Sequence, residues 1–127
     1  MTAPKAFYIT TAISYPNGAP HIGHAYEMIS TDVIARFKRL DGYDVRFQTG
    51  VDDHGQKMVQ TAKARGITAK ELADEMAPKF KAMAAFLNAS NDDFIRTIED
   101  RHVRSCQYLW RTIAANKGPQ GPDIYLG

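Results

Sequence analysis

Several features that mark specialised protein classes are scarce or missing in the sequence. Cys106 is the single cysteine, so an internal disulfide is impossible, and a reducing compartment suits the chain. No apolar run is long enough for a membrane span or a signal peptide, which predicts a cytoplasmic protein that does not enter a membrane. Sixteen basic and fourteen acidic residues leave a net charge of +2, too small to indicate nucleic-acid binding by itself.

The hydrophobic pattern of the first half of the chain predicts an α/β fold. Residues 7–13 are rich in β-branched and aromatic side chains, which is typical of a buried strand. Apolar residues then recur every three or four positions over 22–41, which predicts a helix that ends at Asp41 and Gly42. Residues 43–51 predict a second strand. A strand, a helix and a strand in this order favour a right-handed βαβ unit of a parallel sheet.

The second half of the chain continues the alternation of helices and strands. A short helix is predicted over 56–65, and Thr68 with Glu71 forms a capping box for a longer helix. Pro78 lies inside this longer helix and should kink or split it. Residues 94–98 predict a third strand, and 101–116 predict an amphipathic helix. Residues 117–122 form a boundary and 123–127 begin a strand-like segment, so we expect the chain to be cut from a longer one.

Two histidines, His21 and His24, lie at the start of the first predicted helix, after the turn that follows the first strand. Residues three apart at a helix start share a face, so both rings can reach one ligand beyond the N-terminus. Free backbone N–H groups and the helix dipole favour a phosphate there, and imidazole donors can stabilise charge on a phosphate in transfer. Gly23 lacks a Cβ and would let a flat purine approach. Alternatively, the two histidines only cap the helix or lie at its surface.

Acidic residues follow the second strand, at the edge of a parallel sheet where ligands bind. A carboxylate of Asp52 or Asp53 could hold an ammonium group, such as the α-amino group of an amino acid. The same residues, with His54, could instead form an Asx turn and a helix N-cap. We expect one aspartate to cap and the other to face the crevice, and their spacing does not decide between them.

An apolar wall is predicted beside these polar groups, because three residues leave the first strand at the same edge: Ala12, Ile13 and Tyr15. They are equally consistent with ordinary core packing. The histidines and aspartates do not follow a recognised pattern of metal ligands, so no metal site is predicted.

Five segments carry motifs that occur together in one enzyme family, and they lie at 7–13, 15–18, 20–24, 47–57 and 92–97. The His-Ile-Gly-His motif of the third segment indicates only a class I synthetase or a related nucleotidylyltransferase. The Tyr-Pro-Asn-Gly motif is shared with the leucine, isoleucine and valine enzymes. The last two segments favour methionine. Together they resemble the N-terminal catalytic part of the methionyl-tRNA synthetases, which are class I aminoacyl-tRNA synthetases.

The resemblance implies the first half of a Rossmann-like nucleotide-binding domain, with a parallel sheet and flanking helices, over residues 1–117. Residues 118–127 would begin the inserted connective domain of that family. The implied activity is that of a methionine–tRNA ligase, which activates L-methionine with ATP to methionyl-adenylate and transfers the methionyl group to tRNA(Met). Mg²⁺ would accompany ATP, and zinc would be bound only in the part of the inserted domain that this sequence lacks.

The family's functional residues can be carried over to matching positions. His21 and His24 would contact the ATP phosphates and the transition state, and Gly23 would face the adenine. Asp52 would pair with the methionine amino group. The methionine pocket would include Ala12, Ile13 and Tyr15.

Two of these segments depart mildly from the family pattern. Ile13 stands where relatives often have leucine, and Asp53 where many have glutamate. Both changes concern only the fine shape of the pocket.

Parts of the family's machinery are missing from the sequence. The Lys-Met-Ser-Lys-Ser motif that closes on the ATP phosphates is absent, and so are the second half of the sheet and the cysteine-rich knuckle. We therefore expect the chain to be inactive by itself. Two alternatives remain open: a small nucleotidylyltransferase with a His-x-Gly-His site, and a non-catalytic binding module derived from a synthetase.

Overall fold

The computed structural model describes residues 4–118 and 121–124. They form two compact units, Met1–Thr97 and Ile98–Gly127. The elements of the first unit are β1 (Ala6–Thr10), α1 (Ile22–Leu40), β2 (Asp44–Val51), α2 (Gln56–Arg65), α3 (Ala69–Phe86) and β3 (Asp93–Arg96). Those of the second unit are α4 (Asp100–Ala115), β4 (Lys117–Gly118) and β5 (Gly121–Pro122).

A three-stranded parallel sheet in the order β1-β2-β3 organises the first unit. Ile9 pairs with Phe47 between β1 and β2, and Gln48 pairs with Asp93 between β2 and β3. This confirms the predicted α/β fold with a parallel sheet and flanking helices. Because all three strands run in one direction, the segments that follow them emerge at one edge of the sheet.

The first strand is shorter than predicted. It ends at Thr10 instead of residue 13, and beyond it only Ser14 forms an isolated bridge, with Val51. The reason lies on α1, where the Glu27 carboxylate accepts the Ala12 N–H at 2.7 Å. That N–H is therefore lost to the sheet. The third strand is shifted as well, since it spans Asp93–Arg96 rather than 94–98.

The first helix forms where predicted, but its apolar repeat does not face the core. The recurring apolar positions are exposed, and they are Ile22, Tyr26, Ile29, Val33, Phe37 and Leu40. The buried side of α1 instead carries Met28, Thr31, Asp32 and Ala35. Met28 and Ala35 join Phe47 of β2 in one core cluster.

A buried carboxylate ties α1 to the loop before β3. Burial by itself raises the pKa of Asp32, but hydrogen bonds from Ser90 and Arg36 outweigh it and hold the pKa below its ordinary value. The Ser90 N–H donates to Asp32 Oδ1 at 2.7 Å, and Arg36 Nε donates to Oδ2 at 2.7 Å. Asp32 therefore stays charged inside the fold because its partners compensate for lost hydration.

The helices α2 and α3 form a second core cluster through Met58, Ala62, Leu72, Ala73 and Met76. The predicted capping box of Thr68 and Glu71 is confirmed, with both reciprocal hydrogen bonds present. Of the two effects predicted for Pro78, a kink or a split, the split is wrong, since α3 is one helix over Ala69–Phe86. Buried residues on both sides of the proline hold the helix together, because tertiary packing can outweigh local propensity.

The second unit contains an amphipathic helix and two short paired strands. The predicted helix over 101–116 is confirmed as α4, which has no buried residue. The strands β4 and β5 pair antiparallel, and Asn116 Nδ2 donates to Asp123 Oδ2 at 2.6 Å. Of the strand-like segment predicted over 123–127, residues 123 and 124 form a bend and 125–127 lie outside the described residues. None of the helices in the described ranges has the length and apolarity to cross a membrane.

A glycine near the C-terminal end of β2, Gly50, allows β3 to pack beside this strand. A Cβ added at Gly50 would lie 2.1 Å from the carbonyl oxygen of Ile95, its register partner. A flexible side-chain tip could move away from such a contact, but a backbone carbonyl in a sheet cannot do so without breaking the pairing. Gly50 is thus a steric requirement of the sheet.

We expect Gly50→Ala to lower the free energy of unfolding by about 1–3 kcal/mol, because this is the typical cost of overpacking in a well-packed core. Gly18→Ala is the matched control, since a Cβ there meets nothing within 4 Å and the φ angle of Gly18 is not positive. Urea denaturation of both variants measures the difference. Equal stabilities of the two variants would contradict the steric requirement.

Candidate active site

The two histidines at the start of α1 cap that helix with their own side chains. His21 is the N-cap residue, and its Nδ1 accepts the Gly23 N–H at 3.1 Å. In return, His24 Nδ1 accepts the His21 N–H at 3.1 Å. The pair thus forms a capping box in which imidazoles take the places usually held by Ser or Thr and by Glu or Gln.

This arrangement determines which ring nitrogen carries the proton. A nitrogen that accepts a hydrogen bond from an N–H must be unprotonated, so in a neutral ring the proton is on the other nitrogen. Both Nδ1 atoms are acceptors. His21 and His24 therefore each keep an Nε2–H donor that the helix cap does not use.

The two rings lie close together, with centroids 3.9 Å apart. His24 also packs edge-on against Phe80 of α3, with centroids 5.1 Å apart. Burial lowers the pKa of His24 and the neighbouring His21 lowers it further, while Glu27 opposes them by raising it. His24 is consequently held in the neutral form, which the helix cap requires because Nδ1 accepts a hydrogen bond only when it is unprotonated.

Both histidines line a cavity of about 430 Å³ at the carboxyl edge of the sheet. Ile13 and Tyr15, two of the residues predicted for the methionine pocket, line it as well, together with Ser14, Asn17, Gly18 and Ala19. The volume is within the range of small-molecule sites. The structure therefore brings the histidine pair and two of the predicted apolar residues to one cavity.

Lys57 lines the same cavity and was not singled out from the sequence. It stands in the first turn of α2, whose N-cap residue, Gly55, makes no side-chain hydrogen bond to the helix. The sequence feature that could have indicated this residue is its position directly after the Asp-Asp-His-Gly-Gln motif. A lysine beside two imidazole donors and an uncapped helix start gives the cavity an environment that favours anions.

A second, water-sized cavity of about 10 Å³ shares Ser14 and His24 with the first and is also lined by Ala12 and Glu27, among others. Ala12, the remaining residue predicted for the methionine pocket, borders this cavity rather than the larger one. The Glu27 carboxylate holds the Ala12 N–H, which fixes the backbone where β1 ends. Glu27 is thus a second residue of the site that the sequence did not single out.

The structure resolves the different positions of the two aspartates after β2. The Asp53 side chain is fully buried, and the Arg96 guanidinium donates to both of its carboxylate oxygens at 2.9–3.3 Å. The side chain of Asp52 makes an Asx turn, since its Oδ1 accepts the His54 N–H at 3.0 Å. Neither aspartate caps α2, so the expectation that one of them would do so is wrong.

Two contacts join the acidic residues to the segment that leaves β1. The Asp52 N–H donates to the Ser14 carbonyl at 2.9 Å. Tyr15 covers Gly55, where an added Cβ would lie 3.1 Å from the tyrosine ring. Gly55 also has a φ of +135°, a conformation that side chains disfavour, so the close packing of Tyr15 depends on glycine there. The histidine corner and the acidic corner therefore lie at the same edge of the sheet.

Gly23 has a local steric role besides the predicted approach of adenine. A Cβ at this position would lie 3.0 Å from Cε1 and 3.1 Å from Nδ1 of His21. The glycine thus gives the His21 ring room to fold back over the backbone and accept its N–H. Gly23 does not line either cavity.

Among the described residues, no group of three or more histidine, cysteine, aspartate or glutamate side chains is arranged to hold a metal ion.

We expect His24 to titrate below pH 6.5 in the folded chain, because burial and His21 lower its pKa. The folded state then binds fewer protons than the unfolded state, so this group contributes stability above about pH 6.5 that is lost as the pH falls through the folded pKa. A histidine NMR titration measures the pKa and also reports which nitrogen is protonated. A His24 pKa at or above 6.5, or a proton on Nδ1 at neutral pH, would contradict the capping geometry.

Comparison with known proteins identifies the family. The model of the family described as tRNA synthetases class I (M) matches residues 7–119. The chain is 60% identical over 127 residues to the methionine–tRNA ligase of Rhizobium meliloti, which covers 100% of the chain and 24% of that ligase. It is 57% identical over 123 residues to the methionine–tRNA ligase of Brucella melitensis, covering 97% of the chain and 23% of the ligase.

Solved structures show the same fold. The methionyl-tRNA synthetase of Mycobacterium tuberculosis, solved in complex with methionyl-adenylate, superimposes with a TM-score of 0.84 and is 54% identical over 87% of the chain and 22% of its own length. The LeuRS of Agrobacterium radiobacter K84, solved in a ternary complex with tRNA, superimposes with a TM-score of 0.78 and is 23% identical. The match covers 88% of the present chain and 15% of the LeuRS chain, and at this identity it shows the fold alone.

The chain spans less than a quarter of the length of these methionine–tRNA ligases. Its three parallel strands with flanking helices are the Rossmann-like fold of class I synthetases, as the resemblance implied. The family match covers most of the chain, including both histidines and both aspartates of the candidate site. This chain therefore belongs to the class I (M) tRNA synthetases, the aminoacyl-tRNA synthetase family that includes the methionine–tRNA ligases.

Proposed function

We propose that the chain supplies part of the active site of a methionine–tRNA ligase that works in the cytoplasm. In the first step an oxygen of the methionine carboxylate attacks the α-phosphorus of ATP, and pyrophosphate leaves. In the second step a hydroxyl of the terminal adenosine of tRNA(Met) attacks the carbonyl carbon of methionyl-adenylate, and AMP leaves. The observation that carries the proposal is the cavity shared by His21, His24, Ile13 and Tyr15.

The phosphate end of the site is assigned to the histidine pair. Each ring has its Nδ1 engaged by a backbone N–H, so each can direct an Nε2–H donor to the ATP phosphates. Such donors stabilise the charge on the α-phosphate in the transition state most strongly when they are held in place before the reaction. We assign the adenine approach to Gly23, and Lys57 adds a positive charge beside the phosphates.

The methionine end of the site is assigned to the residues where β1 and β2 end. Asp52 Oδ1 is engaged by the His54 N–H, and Oδ2 has no hydrogen-bond partner in the described part of the chain. This second oxygen is therefore available to the α-ammonium of methionine. Ala12, Ile13 and Tyr15 form one wall of the pocket, with Tyr15 placed against Gly55 by their close contact.

Several parts of the reaction are assigned to segments beyond this sequence. We propose that residues 1–117 are the first half of the catalytic domain and that 118–127 begin the inserted connective domain. Mg²⁺ would arrive with ATP, and any zinc would be bound in the rest of the inserted domain. Without the Lys-Met-Ser-Lys-Ser loop only one side of the ATP site is present, so the isolated chain is expected to be inactive.

Grafting the chain in place of the matching segment of the Rhizobium meliloti ligase tests the proposal, because the two are 60% identical over 127 residues. We expect the grafted ligase to catalyse methionine-dependent ATP–pyrophosphate exchange and to charge tRNA(Met), whereas the isolated chain catalyses neither. A grafted ligase that folds without charging tRNA would contradict the assignment and favour a binding module. If the isolated chain catalysed ATP–pyrophosphate exchange at the rate of a complete ligase, the prediction that it holds only part of the active site would be contradicted.

A substitution in the grafted ligase separates the cap from the chemistry. Glutamine suits the third helical position of a capping box, so His24→Gln keeps an acceptor for the His21 N–H while it removes the imidazole. We expect the unfolding temperature to stay nearly unchanged and kcat for exchange to fall by roughly 10²–10³, as for a lost transition-state donor. His102→Gln on α4 is the control, since His102 lines neither cavity.

If His24→Gln loses stability and activity together, or keeps full activity, the imidazole serves only as a cap.

A further inference from the structure

The carboxylate of Asp52 is held by a hydroxyl from the next strand segment. Thr97, which follows β3 and is buried, donates from Oγ1 to Asp52 Oδ1 at 3.2 Å. The same Oγ1 accepts the Asp53 N–H at 2.9 Å. The Asp53 N–H can only donate and an ionised carboxylate can only accept, and the hydroxyl has a single proton. The hydroxyl proton is therefore directed to Asp52.

The two oxygens of the Asp52 carboxylate are consequently inequivalent. Oδ1 accepts two hydrogen bonds, one from the His54 N–H and one from Thr97. Oδ2 has no partner within the described residues, and no side-chain oxygen among them is both buried and unpaired. Oδ2 is therefore accessible to solvent. The two donors on Oδ1 restrict rotation of the carboxylate, so Oδ2 is held in one orientation.

The neighbouring aspartate is excluded from this role by its ion pairs. Arg96 neutralises Asp53 through a bidentate contact and reaches Asp74 of α3 with its other terminal nitrogen at 2.8 Å. The Arg96 side chain is only 21% exposed and that of Asp53 is 0% exposed. Both oxygens of the Asp53 carboxylate are therefore engaged by the Arg96 guanidinium and are not available to a ligand. This leaves Asp52 as the carboxylate after β2 that can accept a ligand.

We propose that Thr97 is a positioning residue for amino-acid binding, whose hydroxyl orients the Asp52 carboxylate so that Oδ2 receives the α-ammonium group of the substrate. The inference rests on the proposed function, since it takes methionine as the ligand of Asp52. Thr97 itself does not contact the substrate. Its effect is on the amino group of the substrate and leaves the nucleotide site unchanged.

Steady-state kinetics of the grafted ligase with Thr97→Val tests this role. Valine keeps the shape of threonine and removes the hydroxyl. We expect the KM for methionine to rise about tenfold or more, the range of a lost hydrogen bond to a charged group, while the KM for ATP stays within about twofold. Thr97→Ser, which restores the hydroxyl, is the matched control and should bring the methionine KM back within about threefold of the parent.

Competitive inhibition by the deaminated analogue of methionine separates orientation from general damage. This analogue lacks the α-ammonium group, so its inhibition constant should be the same in the parent and in Thr97→Val. Combining Thr97→Val with Asp52→Asn should raise the methionine KM no further than Asp52→Asn alone, because Thr97 acts through Asp52. If the valine variant does not fold, Thr97→Ala takes the same tests without the steric demand of a branched side chain.

Two outcomes would overturn the role of Thr97 and leave the proposed function intact. One is an unchanged methionine KM in the variants without the hydroxyl. The other is an equal weakening of the binding of methionine, ATP and the deaminated analogue. A different outcome concerns the proposed function. If Asp52→Asn does not raise the methionine KM, the carboxylate does not bind the amino group. The assignment of Asp52 is then wrong, whatever the Thr97 variants show.

Discussion

One backbone hydrogen bond joins the two halves of the candidate site, from the Asp52 N–H to the Ser14 carbonyl at 2.9 Å. It continues the parallel pairing of β1 and β2 past the point where the regular ladder ends, beside the isolated bridge of Ser14 with Val51. Because β2 lies between β1 and β3, this contact places the segment before the histidines next to the aspartates. A shift of this register would move the two groups apart along the edge of the sheet.

Several residues of the candidate site use one polar atom for a structural hydrogen bond and keep another polar atom free of that task. The Nδ1 atoms of His21 and His24 complete the helix cap, which leaves their Nε2–H groups for a ligand. The same division occurs at Asp52, where Oδ1 accepts two hydrogen bonds and Oδ2 has no partner in the part of the chain that the structure describes. Each group is thereby oriented before any ligand arrives, and preorganised dipoles of this kind do not have to be reoriented during the reaction.

The sequence predicted the order and type of the elements of the first unit, because hydrophobic periodicity and capping residues are local signals. The end of β1 could not be predicted, since it depends on Glu27 from α1 capturing the Ala12 N–H. The buried face of α1 could not be predicted either, because it includes the polar residue Asp32, whose partner Ser90 is distant in the chain. The separate environments of the two aspartates required Arg96 and Thr97, which no spacing rule connects to them. The catalytic and binding roles of the site residues remain predictions.

The most direct test is a crystal structure of the grafted ligase with methionyl-adenylate bound. The account predicts one adenylate that spans the crevice, with its phosphate oxygens within hydrogen-bond distance of Nε2 of His21 or His24 and its amino group on Asp52 Oδ2. An adenylate bound with its phosphate away from both imidazoles, or with its amino group on another carboxylate, would contradict the account.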